Sequence, residues 1–371
     1  MPHDFMQIEF DGEEIDTVYS DLMQLEVELD DDLASMFRLR LSMIQTAEGW
    51  TSLDDERLRA WVPVTITGGF EDNNTELLSG YITHVKPNFQ ANPEQAYLDI
   101  WGMDKSVMLD RIEVLKDWPN KKDSDIVTEI LQSKYHLQPE VTDTEFVHDE
   151  AVSTIMQRET DMQFLRRLAL RNGYECYVQG DTGYFGPPQI DEDIQPLLAV
   201  HFGNETNIHN FSISVNALTP VNVGMFQIDR MNKEITEVSV ESSTQTTLGS
   251  MDAASLLATG MEPGRIFIGR NSTAGETEMQ ALCGGLYDRS EWFVTAQGEV
   301  TAANYSHVLM PRRPVTVKGI GETYSGVYYV NHVTHVFTCD GYKQVVRMKR
   351  NALMPTGDED FGGSGGLLGG L

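Results

Sequence analysis

Apolar and polar residues alternate at a period of two through most of the first 112 positions. Leu25, Val27 and Leu29 are interleaved with Glu26 and Glu28, and Phe37, Leu39, Leu41 and Met43 with Arg38, Arg40 and Ser42. Val62, Val64 and Ile66 continue the pattern, followed by 78–85 and 97–101. Successive side chains of a strand point to opposite faces, so the alternation predicts strands with one face in a core and one in water. Several such strands joined by turns predict a barrel or sandwich. Asp30-Asp31-Asp32, between the first strong pair, reads as a solvated acidic turn, because the DxDxDG-type loop of a calcium site is absent around it. The stretch 44–60, with mixed charges around Gly49-Trp50, reads as a long loop or arm.

The period changes at about 113. Asp123 or Ser124 can cap a helix that carries Ile126, Val127, Ile130 and Leu131. A second helix, about 161–172, has Phe164, Leu165, Leu168 and Ala169 on one face, and Gly173 is placed to stop it. Residues 174–178 and 183–185, separated by Gln179-Gly180-Asp181-Thr182, predict a hairpin. Alternation returns from about 196, in Val200/Phe202, Phe211/Ile213/Val215, Val221/Val223, Phe226/Ile228 and Ile235/Val238/Val240. The Ser-, Thr-, Gly- and Ala-rich segment 243–272 reads as an excursion with little regular structure. Met279, Leu282, Cys283, Leu286 and Tyr287 form one apolar stripe on a third helix, about 274–291, which makes Cys283 a core residue. The last strands are 315–317, 327–336 and 344–349, and the Gly- and Leu-rich end 362–371 reads as a flexible linker or docking tail.

The expected fold is mainly β with an α+β insert. It comprises a tube-like β-barrel over 1–112, helices plus hairpin over 113–195, and a second tube-like β-barrel from 196–242 and 300–354. An insertion with long loop and helix occupies 243–299, and a Gly-rich tail 355–371.

Charge and chemistry then narrow the function. Against 57 acidic residues stand 27 basic ones, a formal net charge of −30. Nucleic-acid affinity comes from Lys and Arg neutralising phosphates, so this balance argues against it, and equally against an anionic membrane surface. No apolar run approaches the roughly 18–20 residues that span a bilayer. The N-terminus has acids where a signal peptide needs a basic patch, so synthesis in the cytoplasm without a Sec signal is expected. Cys176, Cys283 and Cys339 have no metal-ligand spacing. His332 and His335 lie three apart on a predicted strand and point to opposite faces, so they cannot share a metal. HExxH and GxSxG are absent, and Gly319-Ile320-Gly321 with Gly326 does not fit GxGxxG. No catalytic, cofactor-binding or metal-binding residue is therefore expected, and no cofactor.

One segment carries a family resemblance. Gln157-Arg158-Glu159-Thr160-Asp161-Met162-Gln163-Phe164-Leu165-Arg166-Arg167-Leu168-Ala169, running on through Gly173-Tyr174, resembles the Q-x-E-T/S-D-x-x-F-L-x-R-L-A…G-Y/F segment of the late control protein D family of phage tails. The VgrG spikes of type VI secretion share it. Gly80-Tyr81-Ile82 is similar to that family's F-x-G-x-I strand, 125–137 to its I-x-x-I-x-x-x-Y-G-L helix, and Gly326-Val327-Tyr328-Tyr329-Val330 to its F-S-G-x-Y-Y-V strand. The signature positions are Gln157, Glu159, Asp161, Phe164, Leu165, Arg167, Leu168, Gly173, Gly80, Ile82, Gly326, Tyr328 and Tyr329, and their role is architectural. The resemblance implies the central hub of a contractile-tail or injection-system baseplate. Such a hub is a homotrimer of two-barrel subunits joining a hexameric tail tube to a trimeric spike. Spike, tail-tube or tube-initiator, and baseplate wedge proteins are the implied partners. The acid excess would then line a channel. The competing readings are a tail-associated peptidoglycan hydrolase and a hexameric tube-initiator or distal tail protein.

Overall fold

The computed structural model describes residues 4–362 except 48, 152–153, 229–232, 258–259, 270–272 and 274. The docking tail expected over 362–371 lies outside the described residues apart from Gly362. Thirteen strands join into one sheet. Its first lobe runs Leu22–Asp30, Met36–Ser42, Tyr97–Asp104, Asn73–Asn88, Pro63–Phe70, Asp4–Phe10, in spatial order and antiparallel throughout. The alternating residues face one core: Leu25, Val27, Phe37, Leu39, Leu41 and Ile66 are all at most 1% exposed. The second lobe runs Gln195–Ala199, Arg313–Lys318, Gly326–Thr338, Gly341–Arg350, Val294–Thr301, His209–Val215. It encloses Leu198, Val294, Val315, Val317, Tyr328, Val330 and Val346.

The two lobes are hydrogen-bonded to each other. Gly326–Thr338 is 13 residues long, roughly 43 Å at about 3.3 Å per residue. Its first half pairs with Arg313–Lys318 (Val330↔Arg313) and its second half with Leu22–Asp30 (His332↔Asp30), with a register irregularity between Val330 and His332. Each lobe also curls back on itself. In the first, Tyr342 N donates to Asp4 Oδ2 at 3.0 Å and the Tyr342 ring meets Phe70 edge-on. In the second, Asn207 N donates to Ala199 O at 3.0 Å, tying the outer edges together.

The α+β insert follows the expected order, with additions. Helix α1 (Asp16–Asp21) belongs to the first lobe, and α2 (Asp123–Thr128) opens the insert, its last turn continuing over 129–134 as a π-type turn. Asp123 and Ser124 are not its cap. Lys122 holds that position, its N–H donating to Asp125, while Asp123 bonds His148 and Asn172. Helix α3 (Asp161–Asn172) leads into the hairpin Glu175–Gln179/Thr182–Gly186. Glu113–Trp118 pairs with Ile155–Thr160, and Phe164, Leu165, Leu168, Ile126 and Phe185 share a third core.

Three expectations are corrected. Val221–Ile228 and Ile235–Val240 do not join the second lobe. With Gly264–Ile268, a parallel strand inside the segment expected to lack regular structure, they form a separate sheet. The reason is the stripe of α4 (Glu276–Ser290): Met279, Leu282, Cys283 and Tyr287 cover Val223, Met225, Val238 and Val240, a fourth core. The arm 44–60 is a small hairpin, Gln45–Thr46/Gly49–Trp50, plus a 3-10 turn, pinned where Trp50 meets Phe89 edge-on and Leu58 is buried. The acidic turn is solvated only in part: Asp32 is exposed, Asp30 is half-buried and Asp31 is buried. Among the described residues no helix is long and apolar enough to cross a membrane.

Candidate functional site

The signature segment folds as a capped helix whose entry is sewn to its neighbours. Thr160 is the N-cap of α3, its hydroxyl accepting the Gln163 N–H at 3.4 Å. Asp161, 2% exposed, accepts from Gln157 Nε2 at 2.7 Å and Tyr135 Oη at 2.6 Å and pairs with Lys134. Burial and this carboxylate push the Tyr135 hydroxyl pKa up. Trp118 Nε1 donates to Gln157 Oε1, so Gln157 links the strand pair to the helix start. Glu159 accepts from Arg167 Nε at 2.7 Å, and Arg167 Nη2 caps the Met156 carbonyl. An acid at the first helical position also meets the positive end of the helix dipole.

The other signature positions lie elsewhere. Gly80 sits where a Cβ would lie 1.9 Å from the Met103 carbonyl, and Ile82 is in the first core. Gly326, at φ +139°, leaves room for the Arg350 guanidinium, 2.5 Å from where its Cβ would be. That buried guanidinium donates to the carbonyls of Leu248, Tyr324, Ser325 and Met354. Tyr328 Oη donates to Tyr324 O. Of these, Tyr329 reaches the insert: its hydroxyl donates to Glu175 Oε2 at 2.9 Å.

That bond marks a junction the sequence did not expose. Asp30 Oδ2 lies 3.0 Å from His332 Nδ1, Asp31 Oδ2 2.5 Å from Lys349 Nζ, and Asp32 Oδ1 3.6 Å from Arg289 Nη2. The three acids thus take partners from two strands of the shared sheet and from α4. They do so because their turn falls where Gly326–Thr338 passes between the lobes. Lys349 also stands 3.7 Å from Glu175 Oε1 and over the rings of Trp292 and Tyr329. Arg312 stacks on Tyr177 with Cζ 3.6 Å from the ring centroid, and caps the Asp30 carbonyl.

The electrostatics follow from burial. Burial alone would raise the Asp30 pKa, but the His332 bond and the N–H groups of Asp32 and Leu33 hold it at about 2. Burial pushes Glu175 up to about 7, with Lys349 opposing, and its Oε1 takes no hydrogen bond. His332 and His335 take different partners: His335 Nδ1 meets Tyr342 Oη at 2.7 Å. Burial lowers the His335 pKa to about 3. Among the described residues no group of three or more His, Cys, Asp or Glu is placed to hold a metal ion. Sequence reasoning missed Glu175, Arg312 and Lys349, and singled out the acidic turn without its partners His332, Lys349 and Arg289. The one signal available was an acid, Glu175, inside the apolar run 174–178.

The arrangement fixes two β lobes, a helical insert and α4 against one another, and it has the fold of phage tail proteins. The structure matches the 43 kDa tail protein of prophage MuSo2 from Shewanella oneidensis over 94% of this chain and 99% of that one, with TM-score 0.67 and 13% identity. It matches the tail protein from Neisseria meningitidis MC58 over 95% and 98%, with TM-score 0.63 and 12% identity. A third match is the E. coli c3393 protein, a type VI secretion component with structural similarity to T4 bacteriophage tail proteins. It covers 94% and 79%, with TM-score 0.58 and 13% identity. A family model described as the Alg8 N-terminal domain matches residues 4–338, and the chain belongs to that family. No curated protein matches the sequence.

Proposed function

We propose that the chain is a structural, non-enzymatic component of a tail-like particle: the central hub of its baseplate. It works as a homotrimer that joins a hexameric tube to a trimeric spike. The observation that carries this reading is the single sheet running through both lobes, with Gly326–Thr338 paired to each. Two curled β lobes rigidly joined in one subunit give six lobe positions in a threefold ring, so a cyclic trimer presents near-sixfold symmetry on one side. Likeness to tail proteins along nearly the whole chain supports the same reading. The family signature fits an architectural role, since its residues cap, pair and pack. The acid excess suits a channel lining that holds no acidic cargo.

The test is native mass and negative-stain imaging of the purified chain. A particle of about three times 41.7 kDa with an end-on ring and central hole is expected. A clean hexamer would replace the hub by a tube initiator or distal tail protein. A monomer that stays monomeric with tube and spike proteins present, and that clears cell-wall suspensions, would put a hydrolase in its place.

A further inference from the structure

The large sheet ends in three strands, and two of these ends are held. At Asp4–Phe10 the outer side meets Glu13–Glu14, the Ile8 N–H donates to the Tyr19 hydroxyl, and Tyr342 N donates to Asp4 Oδ2. At Gln195–Ala199 the Asn207 side chain accepts from Ala199 N and donates to Leu197 O. The third end, His209–Val215, pairs with Val294–Thr301 on one side. On its other side no backbone group of 210–215 has a partner among the described residues. Natural sheets blunt an exposed edge with charge or proline. This strand, His209-Asn210-Phe211-Ser212-Ile213-Ser214-Val215, contains no Lys, Arg, Asp, Glu or Pro. A register irregularity between His209 and Ser212 sets its first residues apart and leaves Ser212–Val215 as the regular stretch.

The two faces of this edge differ. Phe211 and Ile213 turn toward the second core but are only half-buried, and Val215 is 37% exposed, so the core is incompletely covered at this margin. On the other face Ser212 and Ser214 open onto a trough of about 460 Å³ that crosses Thr295, Gln297, Arg347 and Lys349. The chain has a net charge of −30, yet no Asp or Glu lines this trough. Lys349 is answered by Asp31. Arg347 is exposed and takes no ion pair or side-chain hydrogen bond among the described residues. Ser212 lies opposite Gln297, and Gln297 opposite Arg347. A strand added at the edge would therefore lie three strand spacings, about 14 Å, from the Arg347 backbone. Ser212 and Ser214 are too short to block a Glu side chain that reaches across toward the guanidinium.

We propose that His209–Val215 is a docking edge for an extended segment of a partner protein. The segment adds a strand there, with apolar residues turned to Phe211 and Ile213 and Glu residues turned to Arg347. Open N–H and C=O groups supply the affinity that any strand would gain, and the two unlike faces select the alternation of side chains. Charge complementarity fixes the outward residues. Arg347 attracts carboxylates and repels Lys and Arg, and no acid in the trough offsets it. This inference goes beyond the hub reading and does not depend on the subunit count.

The experiment titrates the full chain by fluorescence polarisation with a labelled peptide, Gly-Val-Glu-Val-Glu-Val-Glu-Gly. This peptide is expected to bind, and a version with Lys in place of Glu is not. Two further versions carry N-methyl groups on the valines or on the glutamates. A strand offers alternate N–H groups to each neighbour, so one of these versions should bind at least tenfold more weakly than the other. Arg347→Gln, a change at an exposed position, should weaken the Glu peptide about fivefold, the worth of one surface ion pair, and leave a Gln-for-Glu peptide unchanged. Absence of binding, equal binding of the Lys peptide, or equal loss in the two methylated versions overturns the added strand. An Arg347→Gln variant that binds the Glu peptide as the parent does overturns the acidic occupant. Native mass is recorded with and without peptide. An assembly that falls to monomers as peptide binds overturns the partner segment in favour of a second copy of this chain.

Discussion

Gly173 and Gly285 touch backbone to backbone: a Cβ built on Gly285 would lie 2.5 Å from Gly173 N, and one on Gly173 2.8 Å from Gly285 Cα. This is where the helical insert meets α4, and Gly173 also holds the left-handed φ of +69° that ends α3. The next glycine along, Gly284, faces open space. The two neighbours should therefore respond oppositely to one methyl group. Gly285→Ala forces the helices apart and should cost about 1–3 kcal/mol, as overpacking does. Gly284→Ala relieves a helix-interior glycine and should gain about 0.5–1 kcal/mol. Urea midpoints of the two variants against the parent decide it, and equal effects of the same sign would refute the close approach.

What the sequence carries and what it hides divides along a physical line. Leu25, Val27 and Leu29, or Phe164, Leu165 and Leu168, declare their faces because periodicity is local, and each is buried as read. Gly173 announces its helix end for the same reason. The Asp30–His332 hydrogen bond and the Asp31–Lys349 ion pair join residues some 300 positions apart, and no local pattern encodes that. The splitting of Gly326–Thr338 between two partners is equally silent, since a fully buried strand looks alike whichever lobe it serves. Val221–Ile228 has strand periodicity in either sheet. Only the stripe of α4, in search of a face to cover, hinted at where it goes.

Glu175 makes stability depend on pH in a stated direction. Its folded pKa of about 7 lies above the ordinary 4.5, so the fold favours the protonated form. The stabilisation is full below about pH 4.5 and is lost as pH rises through 7. Glu175→Gln keeps an acceptor for Tyr329 and carries no proton to lose. It should match the parent at pH 4.5 and exceed it above pH 7.5, by about 2–3 kcal/mol. Denaturant midpoints at the two pH values measure this. A variant no more stable than the parent at the higher pH would mean that Lys349 fully compensates the ionised carboxylate.

His335 works in the opposite sense. Burial lowers its pKa from 6.5 to about 3, so the folded chain holds the neutral ring while the unfolded chain protonates it. This stabilisation is present above pH 6.5 and drains away as pH falls toward 3. His335→Gln can still meet the Tyr342 hydroxyl. It should flatten the acid limb of the stability curve between pH 6.5 and 4 while leaving the curve at pH 8 displaced by a constant amount. Unfolding curves at half-unit steps test the slope, and an unchanged limb would assign acid sensitivity to other groups.

Lys349 is the cation on which the junction turns, 2.5 Å from Asp31 and 3.7 Å from Glu175, over Trp292 and Tyr329. Lys349→Met keeps much of the aliphatic stem but leaves a nearly buried Asp31 without its partner. Breaking such a pair from one side should cost about 2–4 kcal/mol at pH 7. Adding Asp31→Asn removes the stranded charge and should recover about half of that loss. Hydrogen exchange then separates a local effect from a global one. If the junction clamps the insert to the sheet, amides of Glu175–Gln179 and Thr182–Gly186 should exchange faster in Lys349→Met, while those of Met36–Ser42 stay protected. Uniform acceleration across both would mean that the pair supports the whole fold. A loss below about 0.5 kcal/mol would mean that it supports neither.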